Sequence, residues 1–161
     1  MHGTIRRLIS AATFVALTLT ALAVHTETAI GARGHCAVNK VAYRTETDGA
    51  TTTSTDWVVV PKTLVKFTQG GSKPGCVVVH ISALPRSTYI MRIRAVLDGT
   101  IVGTPPETQF EYDSAGYLSV RSFEFVFTKV PPGKHAVRIE WVAHPGFTNW
   151  MYERTVTVQH R

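Results

Sequence analysis

Apolar and polar residues alternate with a period of two along most of this chain. The clearest stretch is residues 121–141, RSFEFVFTKVPPGKHAVRIEW. Phe123, Phe125 and Phe127 alternate with Ser122, Glu124 and Thr128, and Val137, Ile139 and Trp141 alternate with Arg138 and Glu140. One apolar face and one mostly polar face is the pattern of a half-buried strand. Pro131-Pro132-Gly133-Lys134 separates the runs. It suits a type II turn, in which proline fixes φ at the second position and glycine supplies a positive φ at the third. The stretch predicts a β-hairpin whose apolar side chains wall a core.

The same reading extends to the rest of the chain. Residues 36–44 predict a first strand in which Val38 opposes Val41 and Tyr43, and one slip of parity implies a bulge or a shorter strand. Residues 45–56 are polar, threonine-rich and contain Asp48-Gly49, as a long loop or flap would. Residues 57–60 form a short apolar strand ended by Pro61, and 64–68 continue with Val65 and Phe67 on one side. In 76–82, Val77, Val79 and Ile81 face one way and Val78 and His80 the other, which predicts a central, well-covered strand. Residues 84–87 are expected to turn. In 89–97, Tyr89, Met91, Ile93, Ala95 and Leu97 share the inward parity, and Arg92 and Arg94 point outward. Asp98-Gly99 suits a type I′ turn into a short return strand. Strands over 108–112, 117–130 and 150–159 follow, with 113–116 as a turn. Eight or nine short strands with no helix predict an all-β, antiparallel β-sandwich of jelly-roll-like form.

Length and composition place this domain within the chain. The 161 residues suit one domain. Arg6 and Arg7 precede an uncharged, mostly apolar run, 8–24, which ends near Ala21-Leu22-Ala23. Basic region, apolar region and small-residue site together predict a secretory signal peptide over 1–23. A disordered lead-in over 24–35 and the sandwich domain over 36–161 would follow. Ser10, Thr13, Thr18 and Thr20 make the apolar run a poor match to the roughly 20 apolar residues of a membrane span. No span is expected after cleavage, and the mature chain would be secreted or periplasmic. Behind an export signal, Cys36 and Cys76 are expected to form a disulfide. Cleavage removes two arginines and no acid, lowering the formal charge from +6 to +4. The bases are dispersed, so no nucleic-acid partner is expected, and only a generic pull toward anionic polymers remains.

The segments GCVVVHISAL, RAVLDGT, 121–141 and RTVTVQH resemble those of a loose group of small secreted bacterial β-sandwich proteins of uncharacterised function, over 57–160. The motif V-P-P-G-x-H-x-V-x-I-x-W carries most of that likeness. The resemblance implies a jelly-roll-like sandwich and transfers no functional residue. Jelly rolls also occur in lectins, C1q-like modules and virion proteins, an analogy of fold alone.

Candidate chemistry is sparse. No paired-histidine metal motif occurs, and G-x-S-x-G is missing around Ser82, Ser87, Ser114, Ser119 and Ser122. His80 reads as a satisfied strand residue, and His135 as one that bonds backbone beside the Pro-Pro-Gly turn. Glu111 and Asp113 could act as a carboxylate pair only across strands. Asp48, Asp56, Asp98 and Asp113 lie in or beside turns without a calcium-loop pattern. No catalytic residue, metal or cofactor is therefore expected. Arg92 and Arg94 are expected to pair across strands with acids such as Glu124 or Glu140. The ligand-binding candidates are Phe147, Trp150 and Tyr152 in HPGFTNWMY, because ring faces stack on sugars or anchor protein partners. Trp150 and Tyr152 share parity, so an inward orientation would make them core instead. These residues favour a secreted, non-enzymatic binding or structural module whose partner, a glycan or a protein surface, and whose oligomeric state stay open. The alternatives are a carbohydrate-binding module using those aromatics and a hydrolase whose site the sequence hides.

Overall fold

The structure, a computed structural model, describes residues 36–161 other than Thr88 and 112–118, and gives Phe110 and Glu111 by backbone alone. The expected signal peptide (1–23), the lead-in (24–35) and the 113–116 turn lie outside the described residues. Eleven strand segments follow in order: β1 (Lys40–Glu46), β2 (Ala50–Thr52), β3 (Val58–Val59), β4 (Val65–Gln69), β5 (Gly75–Ser87), β6 (Ile90–Leu97), β7 (Ile101–Val102), β8 (Thr108–Glu111), β9 (Arg121–Val130), β10 (Gly133–Ala143) and β11 (Asn149–His160).

These form two antiparallel sheets packed face to face. One has the order β1-β11-β5-β9, with β2 extending the β1 column beside β11. The other has the order β3-β10-β6-β7, with β4 extending the β3 column and β8 the β7 column. The eleven segments thus fill four columns in each sheet, so the strand number expected from sequence is recovered by column. Successive columns cross between sheets except at the β6–β7 hairpin, as in a two-Greek-key jelly roll. Alternation explains the core. Val77, Val79 and Ile81 of β5, Met91 and Ile93 of β6, Phe125 and Phe127 of β9, and Val137, Ile139 and Trp141 of β10 are all buried between the sheets. Each such side chain contributes about 1.5–3 kcal/mol. The Cys36–Cys76 disulfide forms, with Cα atoms 5.4 Å apart, and it is compatible with an oxidising, exported compartment. Among the described residues no helix is long and apolar enough to cross a membrane.

Several local expectations are corrected. The 121–141 stretch is not a hydrogen-bonded hairpin. β9 pairs with β5 in one sheet, and β10 pairs with β3, β4 and β6 in the other. The Pro-Pro-Gly turn is therefore an arch over the core, and the two apolar faces meet across it instead of lying side by side. Gly133 takes its expected positive φ (138°), and Lys129 adds a left-handed residue (59°) just before the arch. Asp98 (51°) and Gly99 (83°) form a true hairpin turn with positive φ at both positions, as a type I′ turn demands. The polar stretch 45–56 is no simple loop, because Ala50 is buried and β2 pairs with β11. The expected turn at 84–87 is strand: β5 runs through Pro85, which pairs with Met151. Proline fits there because β9 pairs with β5 only as far as Ala83, so no ladder on that side needs the missing N–H.

Candidate functional site

The sandwich has two dissimilar ends. At one lie the β4–β5, β6–β7 and β9–β10 connections. At the other lie the β2–β3, β5–β6 and β10–β11 connections, and here aromatic side chains gather outside the core. The Tyr89 ring stacks on Phe147 with centroids 5.0 Å apart and an interplanar angle of 27°. The His144 ring meets Tyr89 edge-on at 4.7 Å and Phe147 at 5.5 Å. His144 is exposed, Phe147 half-buried, and Tyr89 44% exposed. Three rings this open add little to the core, and they meet one another in offset and edge-to-face arrangements.

A buried polar chain fixes the two segments that carry them. Asn149, fully buried, accepts from Ser87 Oγ at 2.6 Å through Oδ1 and donates from Nδ2 to the Val142 carbonyl at 3.1 Å. The Tyr89 N–H donates to Ser87 Oγ at 3.2 Å. One asparagine thereby ties the end of β5, the end of β10 and the start of β11 beneath the rings. Ala143 N–H donates to the Ser54 carbonyl at 2.8 Å, which adds the β2–β3 segment.

Beside the rings is a cleft of about 330 Å³, lined by Thr55, Ile90, Arg92, Gln109, Ala143, His144 and Pro145. It opens onto the outer face of the β10–β6 sheet. There the indole of Trp57 lies over Arg94 at 4.3 Å and Arg92 at 5.8 Å. Arg94 donates to one oxygen of Glu140 from Nε (2.9 Å) and Nη2 (2.7 Å), and Arg138 takes the other from Nε at 2.8 Å. Glu140 is thus the expected cross-strand acid for Arg94. Arg92 instead approaches Glu107 at 3.4 Å, and Glu124 lies 3.0 Å from His80.

The sequence candidates fall in different places. Phe147 belongs to the ring cluster. Trp150 and Tyr152 do point the same way, outward and half-buried, flanking the buried Met151. The Arg86 guanidinium covers the Trp150 ring at 5.3 Å, and the Tyr152 ring lies against Gly49, where an added Cβ would come within 2.9 Å of it. Neither is core, and neither touches the Phe147 cluster. Tyr89 corrects the parity reading: it precedes β6 and lies outside. That ring and His144 are the members sequence reasoning missed, and the only available hint was an aromatic residue immediately after a proline-containing segment. His135 does bond backbone, with Nε2 2.9 Å from the Pro131 carbonyl. Among the described residues no three His, Cys, Asp or Glu side chains converge as a metal set. No protein-family model matches the chain, and no curated protein matches it either. What the molecule itself defines is a jelly-roll sandwich with a polar-braced aromatic end.

Proposed function

We propose that this chain is a secreted, non-enzymatic binding module that holds carbohydrate at the aromatic end. The observation that carries the reading is the Tyr89–His144–Phe147 cluster, three rings packed on each other outside the core at the convergence of the connecting segments. A pyranose ring has an apolar C–H face and a polar rim. Stacking on open aromatic faces beside a polar cleft satisfies both. The N-terminal pattern of 1–23 and the disulfide support export.

Retention on a panel of soluble and insoluble polysaccharides tests this. The wild-type protein should be retarded by at least one polymer, and the Tyr89→Ala/Phe147→Ala variant should not, while its melting temperature stays within a few degrees. Equal retention of the two proteins, or retention of neither on any polymer, overturns the reading.

A further inference from the structure

We propose that the cleft beside the ring cluster is a subsite for the carboxylate of an acidic sugar, and that Arg92 is its cation. This rests on the carbohydrate reading above and narrows its ligand. The cleft, about 330 Å³, lies at the low end of the roughly 300–1,000 Å³ of small-molecule sites. Its lining is chemically mixed. Ile90, Ala143 and Pro145 give an apolar floor, and Arg92, Gln109, Thr55 and His144 bring a guanidinium, an amide, a hydroxyl and an imidazole. Because His144 is also an edge of the ring cluster, one sugar ring can stack on the rings while its substituents enter the cleft.

The three arginines of this face are not equivalent. Arg94 and Arg138 both close on Glu140, at 2.7 Å each in their shortest contacts, and the Glu140 side chain is only 6% exposed. Those distances fit the roughly 2.7–2.9 Å of charge-assisted bonds. Arg92 is held differently. Its Nη1 stands 3.4 and 3.5 Å from the two oxygens of Glu107, and its side chain is 43% exposed. These contacts are too long to saturate a guanidinium, whose planar fork matches a carboxylate with two parallel bonds. Trp57 covers Arg92 and Arg94 together and limits how far either can swing. Among the described residues, the three guanidiniums of Arg92, Arg94 and Arg138 meet the two carboxylates of Glu140 and Glu107, and the guanidinium of Arg92 is the one that lines the cleft. Glu107 is the built-in competitor, a carboxylate loosely occupying the place where a ligand carboxylate would bind.

Glu107 also makes the proposal testable in both directions. The full chain, with its disulfide formed, is titrated calorimetrically with trigalacturonic acid, 3′-sialyllactose, maltotriose and lactose. The two acidic probes separate a hexuronate from a sialic acid as the source of the carboxylate. At least one of them should bind about tenfold or more tightly than its neutral counterpart, and added salt should narrow the gap. Arg92→Gln should weaken the acidic probe about tenfold more than it weakens the neutral sugars. Glu107→Gln should tighten the acidic probe alone. Matched melting temperatures confirm that both variants fold. If neutral and acidic probes bind equally, with sensitivity to Tyr89→Ala/Phe147→Ala, the carbohydrate reading stands and the acidic subsite is wrong. If an acidic probe is preferred but Arg92→Gln leaves that preference intact, Arg92 is not the cation. If no probe binds, both readings fall.

Discussion

His135 and His144 stand at opposite ends of β10, and the molecule uses them in opposite ways. The His135 side chain is 8% exposed, with Nδ1 2.7 Å from an Asp98 oxygen and Nε2 2.9 Å from the Pro131 carbonyl. Both ring nitrogens are thus engaged by protein acceptors. The His144 ring is exposed, its Nδ1 contact is Pro145 O at 3.3 Å, and its main neighbours are the faces and edges of Tyr89 and Phe147. The surroundings follow suit. Around the His135 end lie the Cys36–Cys76 bond and the buried Gln69, which accepts from Arg161 N–H at 3.0 Å. One end spends its polar groups on itself. The other braces its backbone from beneath, through Asn149, and leaves ring faces and one loosely paired guanidinium turned outward. On the proposed reading, stability belongs to the first end and recognition to the second, and that division can be tested.

The largest expected effect is at the tied end. The Cys36–Cys76 bond closes a separation of 40 residues, for which chain entropy gives a loss of about 4 kcal/mol on removal. A Cys36→Ser/Cys76→Ser variant should unfold at much lower urea, yet in the folded fraction the ligand affinity of the other end should persist. Loss of affinity well below the unfolding transition would break the division. Asn149→Ala comes next and crosses it. Ser87 Oγ and the Val142 carbonyl lose their partner, which costs about 1–3 kcal/mol. The rings lose their common brace as well, so this variant should lower stability and affinity together.

Asp98 gives a smaller, pH-dependent effect. Burial pushes its carboxyl up, but hydrogen bonds from His135 and the Ala136 N–H outweigh burial and hold it below the usual range. A depressed folded-state pKa means stability that is full above the unfolded value of about 3.9 and lost as pH falls through the folded value. Asn tolerates the left-handed backbone of this turn, so Asp98→Asn isolates the charge. With the side chain 39% exposed, solvent screening limits the loss to about 1 kcal/mol near neutral pH. Denaturation midpoints should show a shallower acid limb in the variant, with ligand affinity untouched. An unchanged limb would remove Asp98 from the account.

How much of this was legible in the sequence depends on what alternation can encode. Period two tells which side of a strand is apolar, and for Val77, Val79 and Ile81 that assignment matches the burial. It does not tell whether the next apolar-faced strand lies beside the first or across the core from it, so β9 and β10 read as a hairpin although they form an arch. It also assumes that the strand has begun. Tyr89 carries the parity of Met91, but β6 starts only at Ile90, so the ring escapes inward placement. Arg154 shows a third limit. It is 2% exposed, donating to the carbonyls of Pro61, Asp48 and Met151 beside the left-handed Glu153. Nothing local in ERTVTV distinguishes that buried brace from a surface arginine. Phe147 was legible as a candidate because it sits in an aromatic-rich loop, whereas its partners come from distant positions that only the fold brings together.

The smallest expected change in stability sharpens the contrast most. Phe147→Leu keeps an apolar side chain of similar reach and removes only the ring. Phe147 is half-buried, and its ring packs on Tyr89 and His144 outside the core, so stability should shift by no more than about 0.5 kcal/mol. Affinity for a stacked sugar depends instead on the flat face that leucine lacks, and the loss should resemble that of an aromatic-to-alanine change, about 1 kcal/mol or roughly fivefold. Paired thermal melts and titrations separate the two quantities in one variant. A large fall in melting temperature would make Phe147 a structural residue after all, joining the two ends into one cooperative core. An affinity that survives the loss of the ring would reduce the cluster to a hydrophobic cap and leave Arg92 and its cleft as the part of this end that recognises anything.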